Sequence, residues 1–377
     1  MVRVGEQVIA LNAGSSNLKL GLFDAATEDQ LAESQISWNH DSEGARQGAL
    51  RELLVDIDTT RIAAVGHRVV HGGARFTAGV VIDARVRDEI AELATLAPLH
   101  NRSALAVIES IAQMLPRVPQ VAVFDTAFHA SLPPHAYLYP LPYEWYERWR
   151  VRRFGFHGLS HAYCATRTAE ILGRPPEPLK LVTCHLGSGC SLAAIAGGES
   201  IATTMGFTPL DGLMMATRPG AVDPGLLTWL LAEDRMTLPE LEEALHHRSG
   251  LLGISGRSGD MREILAARAG GHARSTLAFD LYVTRLREGI GAMAATLGGI
   301  DALVFTGGVG EHASAVRAAA CARFAWIGLV LDDAANANAA PDTEVSLPES
   351  RVRVLVLHTR EELMVARETV RVLGASG

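Results

Sequence analysis

The sequence predicts an α/β chain built from two related domains, and three observations carry that prediction. Short apolar runs with strand character alternate with longer helical patterns, the mark of α/β architecture. One strand–turn–strand pattern occurs twice, 173 residues apart. Glycine is abundant at 36 residues while aromatics make up only 6%, which suits many tight turns between elements. At about 150 residues per domain, 377 residues leave room for two or three domains. A hydrophobic content of 48% can bury a large core and excludes disorder as the main state.

The elements follow in chain order. Residues 8–11 read as a buried strand, and the alternation over 18–22 brings the chain back as a second strand around a Gly/Ser tip. Residues 181–195 repeat this hairpin, with Gly14 aligned to Gly187, Ser15 to Ser188 and Leu11 to Cys184. Further strands cover 63–70, before His71-Gly-Gly, and 120–124, ending at Asp125. Two more cover 302–305, ending at Thr306 and the glycines 307, 308 and 310, and 352–357, ending at His358. Helical periodicity falls between them, for example over 104–115, 224–232 and 275–297. The Pro-rich aromatic stretch 132–149 has no regular period and reads as a surface segment or a connection between domains. Residues 334–349 read as an exposed loop.

Composition excludes several functions. A net charge of −8 and a pI of about 6.0 provide no general field toward nucleic acid or an anionic membrane, although a local basic pocket is compatible with them. Cys164, Cys184, Cys190 and Cys321 form no C-x-x-C pair, which argues against zinc and redox motifs, and they are too few for a disulfide scaffold. The first apolar run is too short for a signal peptide. The longest uncharged stretch, 181–198, carries His185, glycines and serines that would be stranded in lipid. A soluble, cytoplasmic protein is expected.

No Walker-type phosphate loop, zinc helix or nucleophile elbow is present. Three Gly-rich turns follow strands instead: 12–17, 187–189 and 307–310. Small residues let successive backbone N–H groups approach an anion, and three such turns in one chain favour a nucleotide site over simple chain reversal. A second set is cationic and polar: His67, Arg68 and His71 beside glycines, then His100 and Arg102, His157 and His161, and Arg218. Arginine suits bidentate recognition of carboxylate and phosphate. The third set is acidic. Asp125 and the pair Glu361 and Glu362 directly follow strands, where α/β proteins present site residues, although the glutamates also suit a helix start. Asp260 reads equally well as a helix N-cap. A hard dication bridging phosphates needs one or two carboxylates and water, which Asp125 and Glu361 supply in kind.

These motifs, namely residues 12–19 (Asn-Ala-Gly-Ser-Ser-Asn-Leu-Lys), 67–73, 124–129, 155–161, 205–212, 259–262 and 305–311, resemble the acetate kinase (acetokinase) family of short-chain acyl kinases. They run in the family's order over almost the whole chain. The resemblance implies two duplicated actin-like, ribonuclease H-like α/β domains with an interdomain active-site cleft. The first would span 1–124 plus 362–377; the second, spanning 125–361, would carry the adenosine site. It further implies catalytic roles for Arg68, Asp125, His157 and Arg218, and a substrate pocket of Arg68, Val70, Leu99, Phe156 and Pro209. Nucleotide contacts would come from Ser15, Ser16, Lys19, His185, Gly187, Ser188, Gly189, Asp260, Met261, Arg262, Gly308, Val309 and Gly310. Asn12 and Glu361 would serve Mg²⁺, with Mn²⁺ as a substitute. Asn17, Ser188 and Arg360 depart from the commonest family pattern and bear on nucleotide affinity.

The reaction implied is reversible, direct in-line transfer between ATP and acetate, giving acetyl phosphate and ADP, in a cytoplasmic homodimer. A carboxylate is already an anionic nucleophile and needs no general base. Catalysis therefore rests on cancelling repulsion between two anions. The alternatives are a propionate or butyrate kinase, a sugar kinase using Asp125 as a base, and a non-catalytic ATP-dependent scaffold.

Overall fold

The computed structural model describes residues 5–14, 17–38 and 42–375, apart from the side chains of Pro98 and Leu99. The chain divides into two compact units, Met1–Ala130 with Arg360–Gly377, and Ser131–Thr359.

The first unit holds β1 (Gln7–Ala13), β2 (Asn17–Asp24), β3 (Gln30–Ser37), β4 (Ile62–Val69), β5 (Val80–Val81) and β6 (Gln120–Phe124). Its helices are α1 (Glu43–Leu54), α2 (Ala84–Leu93), α3 (Pro98–Met114) and the C-terminal helix Glu361–Ala375, which is α15 in chain order. The sheet order is β3-β2-β1-β4-β6-β5, with β1, β4 and β6 parallel and the remaining pairs antiparallel. The three parallel strands are nearly all buried, as expected when helices cover both faces of a sheet. Leu50, Leu53 and Leu54 of α1 and Val107 and Ile111 of α3 pack with Ile9, Leu11, Leu20 and Val65. Helix α15 presses on β4 at Gly66, where a Cβ would collide with the Thr369 hydroxyl and come within 2.7 Å of Val365. A glycine there lets the helix, and the acids at its start, lie close to the sheet.

The second unit repeats the plan with β7 (Lys180–Leu186), β8 (Cys190–Ala196), β9 (Glu199–Thr203), β10 (Ala302–Thr306), β11 (Thr343–Glu344) and β12 (Arg353–Val356). Its sheet order is β11-β12-β10-β7-β8-β9, again with β7, β10 and β12 parallel and the other pairs antiparallel. Read from the other edge, this is the first sheet strand for strand. The helices are α4 (Pro134–Tyr137), α5 (Tyr143–Trp149), α6 (Gly158–Leu172), α7 (Pro224–Ala232), α8 (Leu238–His247), α9 (Gly250–Ser255), α10 (Met261–Ala269), α11 (Ala273–Leu297), α12 (Gly307–His312), α13 (Ser314–Cys321) and α14 (Asp333–Ala337). Local chemistry sets several starts. Thr237 and Glu240 form a reciprocal capping box on α8, and Asp223 caps α7 ahead of Pro224.

The two hairpins differ in one respect. Ala13 pairs with Leu18, whereas Leu186 pairs with Cys190, so the second turn is one residue shorter. The 173-residue spacing therefore holds for β1 and β7 and falls by one for β2 and β8. Residues 334–349 are not an exposed loop. They contain most of α14 and all of β11, with Asn336 and Val345 buried. The aperiodic stretch 132–149 folds as α4, α5 and turns, with Tyr143, Trp145 and Trp149 exposed.

Candidate functional site

In the first unit, the carboxyl ends of three adjacent parallel strands deliver three side chains to one place. The register Leu11↔His67 brings Asn12 beside Arg68, and Asp125 follows β6, its N–H bonded to the Val69 carbonyl at 2.9 Å. Arg68 donates from Nε and Nη2 to the two Asp125 oxygens at 3.2 and 2.6 Å, and from Nη1 to Asn12 Oδ1 at 3.0 Å. Its Nε also lies 3.6 Å from Glu361 Oε2, and Asn12 Nδ2 donates to Glu362 Oε1 at 3.1 Å. Burial alone would lower the Arg68 pKa, yet Asp125 and Glu361 outweigh it and hold the guanidinium above its ordinary value. One cation thus stands among three carboxylates, Asp125, Glu361 and Glu362. The sequence marked Glu362 as acidic without giving it a role. Arg360 is exposed and makes no ion pair with Glu362.

Val70 is buried just past β4. The loop after it is pinned: Asn101 accepts from His71 N–H at 3.1 Å and donates to the His71 carbonyl at 2.9 Å, while Thr126 Oγ1 accepts from Gly72 N–H. Lys19 is half-buried on β2 opposite Asn12. Asn17 folds its amide against Gly14, where a Cβ would lie 2.5 Å from Asn17 Oδ1. Ser15, Ser16 and the Leu99 side chain fall outside the described residues.

In the second unit, the turn between β7 and β8 is the focus. Gly187 N–H donates to Gly189 O at 2.9 Å, and the exposed Ser188 accepts through its carbonyl from Ala216 N–H at 3.2 Å. A Cβ on Gly189 would sit 2.9 Å from Arg218 Nη2 and 3.0 Å from His157 Nε2. The glycine is therefore what lets an arginine and a histidine close on this turn. His157 caps α6 in the left-handed region (φ 57°) and stacks on His185, ring centres 4.1 Å apart. His185 Nδ1 shares a 2.8 Å hydrogen bond with Ser160 Oγ. Phe156 is fully buried beside this bend.

Arg218 contrasts with Arg68. Its Nη1 donates to the Pro209 carbonyl at 2.8 Å, and among the described residues no carboxylate pairs with it. Burial lowers its pKa, opposed only by Cys190. A guanidinium in this state gains most from an anionic ligand.

A second glycine turn, Gly307–Gly310, opens α12 at the end of β10. Gly307 (φ 75°) needs the left-handed region and could not carry a Cβ beside the Leu186 carbonyl, 2.8 Å away. Gly308 is exposed, with nothing within 4 Å of its Cβ position, so a ligand can approach the backbone there. Val309 is half-buried and Gly310 buried. Two residues that sequence reasoning missed hold this turn. Buried Arg317 donates to the carbonyls of Gly310 and Glu311 at 2.9 and 2.7 Å and to Asn336 Oδ1 at 2.8 Å. Glu311 accepts from Gly307 N–H at 3.1 Å. Its place four residues after Gly307 was readable; nothing in the sequence marks Arg317 as buried. Asp260 is the N-cap of α10, accepting from Arg262 N–H at 2.8 Å, and pairs with the exposed Arg262 side chain, while Met261 is buried.

A glycine turn open at Gly308, an arginine that no carboxylate pairs with among the described residues and a cluster of carboxylates are features suited to phosphoryl transfer, the chemistry of a kinase. Comparison with known proteins is more specific. The model of the acetokinase family matches residues 7–367, and the chain belongs to that family. An acetate kinase of Gloeobacter violaceus is 47% identical over 398 residues, covering 96% of this chain and 98% of its own. Among solved structures, acetate kinase from Porphyromonas gingivalis matches with TM-score 0.91 and 38% identity, covering 98% of this chain and 100% of that one. A propionate kinase from Francisella tularensis matches with TM-score 0.90 and 35% identity, covering 97% and 99%. Among the described residues no helix is long and apolar enough to cross a membrane.

Proposed function

We propose that this chain transfers the terminal phosphoryl group of ATP to acetate, reversibly, giving acetyl phosphate and ADP. The observation that carries this reading is the opposite electrostatic state of two arginines. Arg68 is ion-paired with Asp125 and Glu361 and bonded to Asn12, with two of its five N–H donors left for a ligand, whereas among the described residues no carboxylate pairs with Arg218 at the Gly189 turn.

In the reaction, an acetate oxygen attacks the terminal phosphorus, the bond to the bridging oxygen breaks, and the electron pair leaves with ADP. Nothing needs deprotonating, which agrees with Asp125 having both oxygens engaged by Arg68. That engagement speaks against Asp125 acting as the base of a hydroxyl kinase. Arg218 and His157 hold the migrating group and neutralise charge as it develops, and Arg68 orients the acceptor carboxylate. Val70, Leu99, Phe156 and Pro209 supply the apolar side of the acetate site. The Gly187–Gly189 and Gly307–Gly310 turns, with Lys19, Ser15, Ser16 and His185, serve the nucleotide phosphates. Asp260, Met261 and Arg262 serve the adenosine side.

The surplus of hard oxygen donors around Arg68 fits a divalent ion that keeps several waters. Glu361, with Asn12 and Glu362 beside it, would hold Mg²⁺ or Mn²⁺ there. When bound, the ion supplies neutralisation of phosphate charge. The enzyme works as a cytoplasmic homodimer. Helix α7 buries none of its residues and exposes Leu226, Trp229 and Leu231, apolar surface suited to a second copy, and the four cysteines are buried and form no disulfide.

The test is kcat/KM for acetate, propionate and butyrate with ATP and Mg²⁺. One methylene in an apolar pocket is worth about 1–3 kcal/mol, so acetate should lead butyrate by about tenfold or more. Equal or better use of propionate moves the assignment to the neighbouring acyl kinase; phosphorylation of a sugar but no acid overturns it.

A further inference from the structure

Glu311 is tied on two sides. One carboxylate oxygen, Oε1, accepts from Gly307 N–H in the glycine turn and from Thr359 N–H, each at 3.1 Å. The other, Oε2, meets His358 Nδ1 at 2.7 Å. Glu311 is only 8% exposed, so these bonds stand in place of water. Thr359 Oγ1 lies 3.3 Å from Ser160 Oγ, which in turn bonds His185 Nδ1, the ring stacked on His157. Thr359 is the last residue of the second unit, and the chain passes directly into Arg360 and the acids that open α15. One carboxylate therefore joins the turn after β10 to the segment immediately preceding Glu361. A residue serving only to cap α12 would bond Gly307 and leave 358–359 to solvent.

We propose that Glu311 is a positioning residue that couples occupation of the Gly307–Gly310 turn to the segment leading into Glu361, so that nucleotide binding orders the start of α15. This rests on the nucleotide reading of that turn. Glu311 touches no reacting atom; it acts through Thr359 and His358. Because Oε1 serves both Gly307 and Thr359, a phosphate polarising the turn's N–H groups alters the acceptor that Thr359 uses.

The test is amide hydrogen exchange on the full chain, wild type and Glu311→Gln, with and without Mg·ADP, alongside steady-state kinetics. The glutamine keeps the size and one acceptor oxygen but loses the charge and the fit to His358. Without ligand, exchange at Gly307 and Thr359 should rise about fivefold or more in the variant, the loss expected for a weakened hydrogen bond. In the wild type, Mg·ADP should slow exchange across 357–363; in Glu311→Gln that slowing should disappear while ADP still binds. kcat per ADP-binding site should fall about tenfold with KM for acetate unchanged; counting sites by bound ADP removes any share of the loss that comes from unfolded enzyme. Undiminished ADP-dependent protection in the variant overturns the proposal, as does a wild type that binds ADP without slowing 357–363. If the wild type binds no ADP, the nucleotide reading fails and the ligand-free rates decide: unchanged rates at Gly307 and Thr359 overturn the coupling, and raised rates uphold the tie itself.

Discussion

Gly189→Ala probes the second unit's site with a single methyl group. The backbone at 189 is outside the left-handed region, so alanine adopts it without strain. The new Cβ, however, would meet Arg218 Nη2 at 2.9 Å and His157 Nε2 at 3.0 Å. Carbon and nitrogen sit comfortably at about 3.5 Å, so each tip must retreat by about half an ångström. Neither can do so freely. Arg218 is anchored through Nη1 to the Pro209 carbonyl at 2.8 Å, and His157 is stacked on His185 at 4.1 Å. Because both obstacles are side-chain ends, the cost in stability should fall at the low end of overpacking, about 1 kcal/mol. The cost in rate should be larger, because two charge-stabilising groups shift together: about 10- to 100-fold in kcat. Arg218→Ala marks the limit, at about 100- to 1,000-fold for outright loss of such a donor. The assay is acetyl phosphate formation trapped as the hydroxamate, with thermal unfolding to confirm the fold. A folded Gly189→Ala enzyme with kcat within about twofold of wild type would show that turn, arginine and histidine do not form a working arrangement.

Gly308→Ala reverses this pattern. Nothing lies within 4 Å of the added methyl, and in the first turn of α12 alanine should leave stability unchanged or raise it by about 0.5–1 kcal/mol. KM for ATP should nevertheless rise about tenfold while kcat holds, because the methyl occupies the surface the nucleotide approaches; an unchanged KM removes Gly308 from the nucleotide site. A pH effect follows from His67, fully buried on β4, where burial pushes its pKa down to about 4, outweighing its side-chain hydrogen bond with Gln120. The unfolded chain takes up this proton near pH 6.5 and the native chain only near 4, so the native state loses stability as pH falls between those values. By pH 4.5 the loss reaches about 2–3 kcal/mol. Urea unfolding at pH 7 and 4.5 should show this drop in wild type and a smaller one in His67→Gln; equal drops would mean that His67 is not held neutral.

Much of the architecture was legible because it is written in local periodicity. The run of apolar residues before Asn12 and its echo before Gly187 announced two hairpins, and the strand ends placed Arg68, Asp125 and the Gly307–Gly310 turn where an α/β sheet presents its chemistry. What escaped were features with no local period. Residues 334–349 carry no helical or strand period in sequence, yet Asn336 is buried, its oxygen accepting at 2.8 Å from Arg317, 19 residues earlier. Asp260 was readable as a helix cap, and its hydrogen bond to Arg262 N–H forms that cap. Glu362 looked like a helix-starting acid until Asn12 was seen to donate to it.

Residue types, their spacing and the repeated hairpin by themselves pointed to two related α/β domains with glycine-rich turns suited to phosphate, and the resemblance of the motifs to the acetokinase family pointed to a kinase. Those properties depend on the identity of neighbours in sequence. The electrostatic state of each site residue was decided only in three dimensions. Arg68 and Arg218 are the same side chain beside similar glycine-rich stretches, yet one is met by carboxylates just after β6 and at the start of α15 and the other by a backbone carbonyl and burial. Charge responds to distance in space, and those distances are set by packing between segments that lie tens to hundreds of residues apart in the chain.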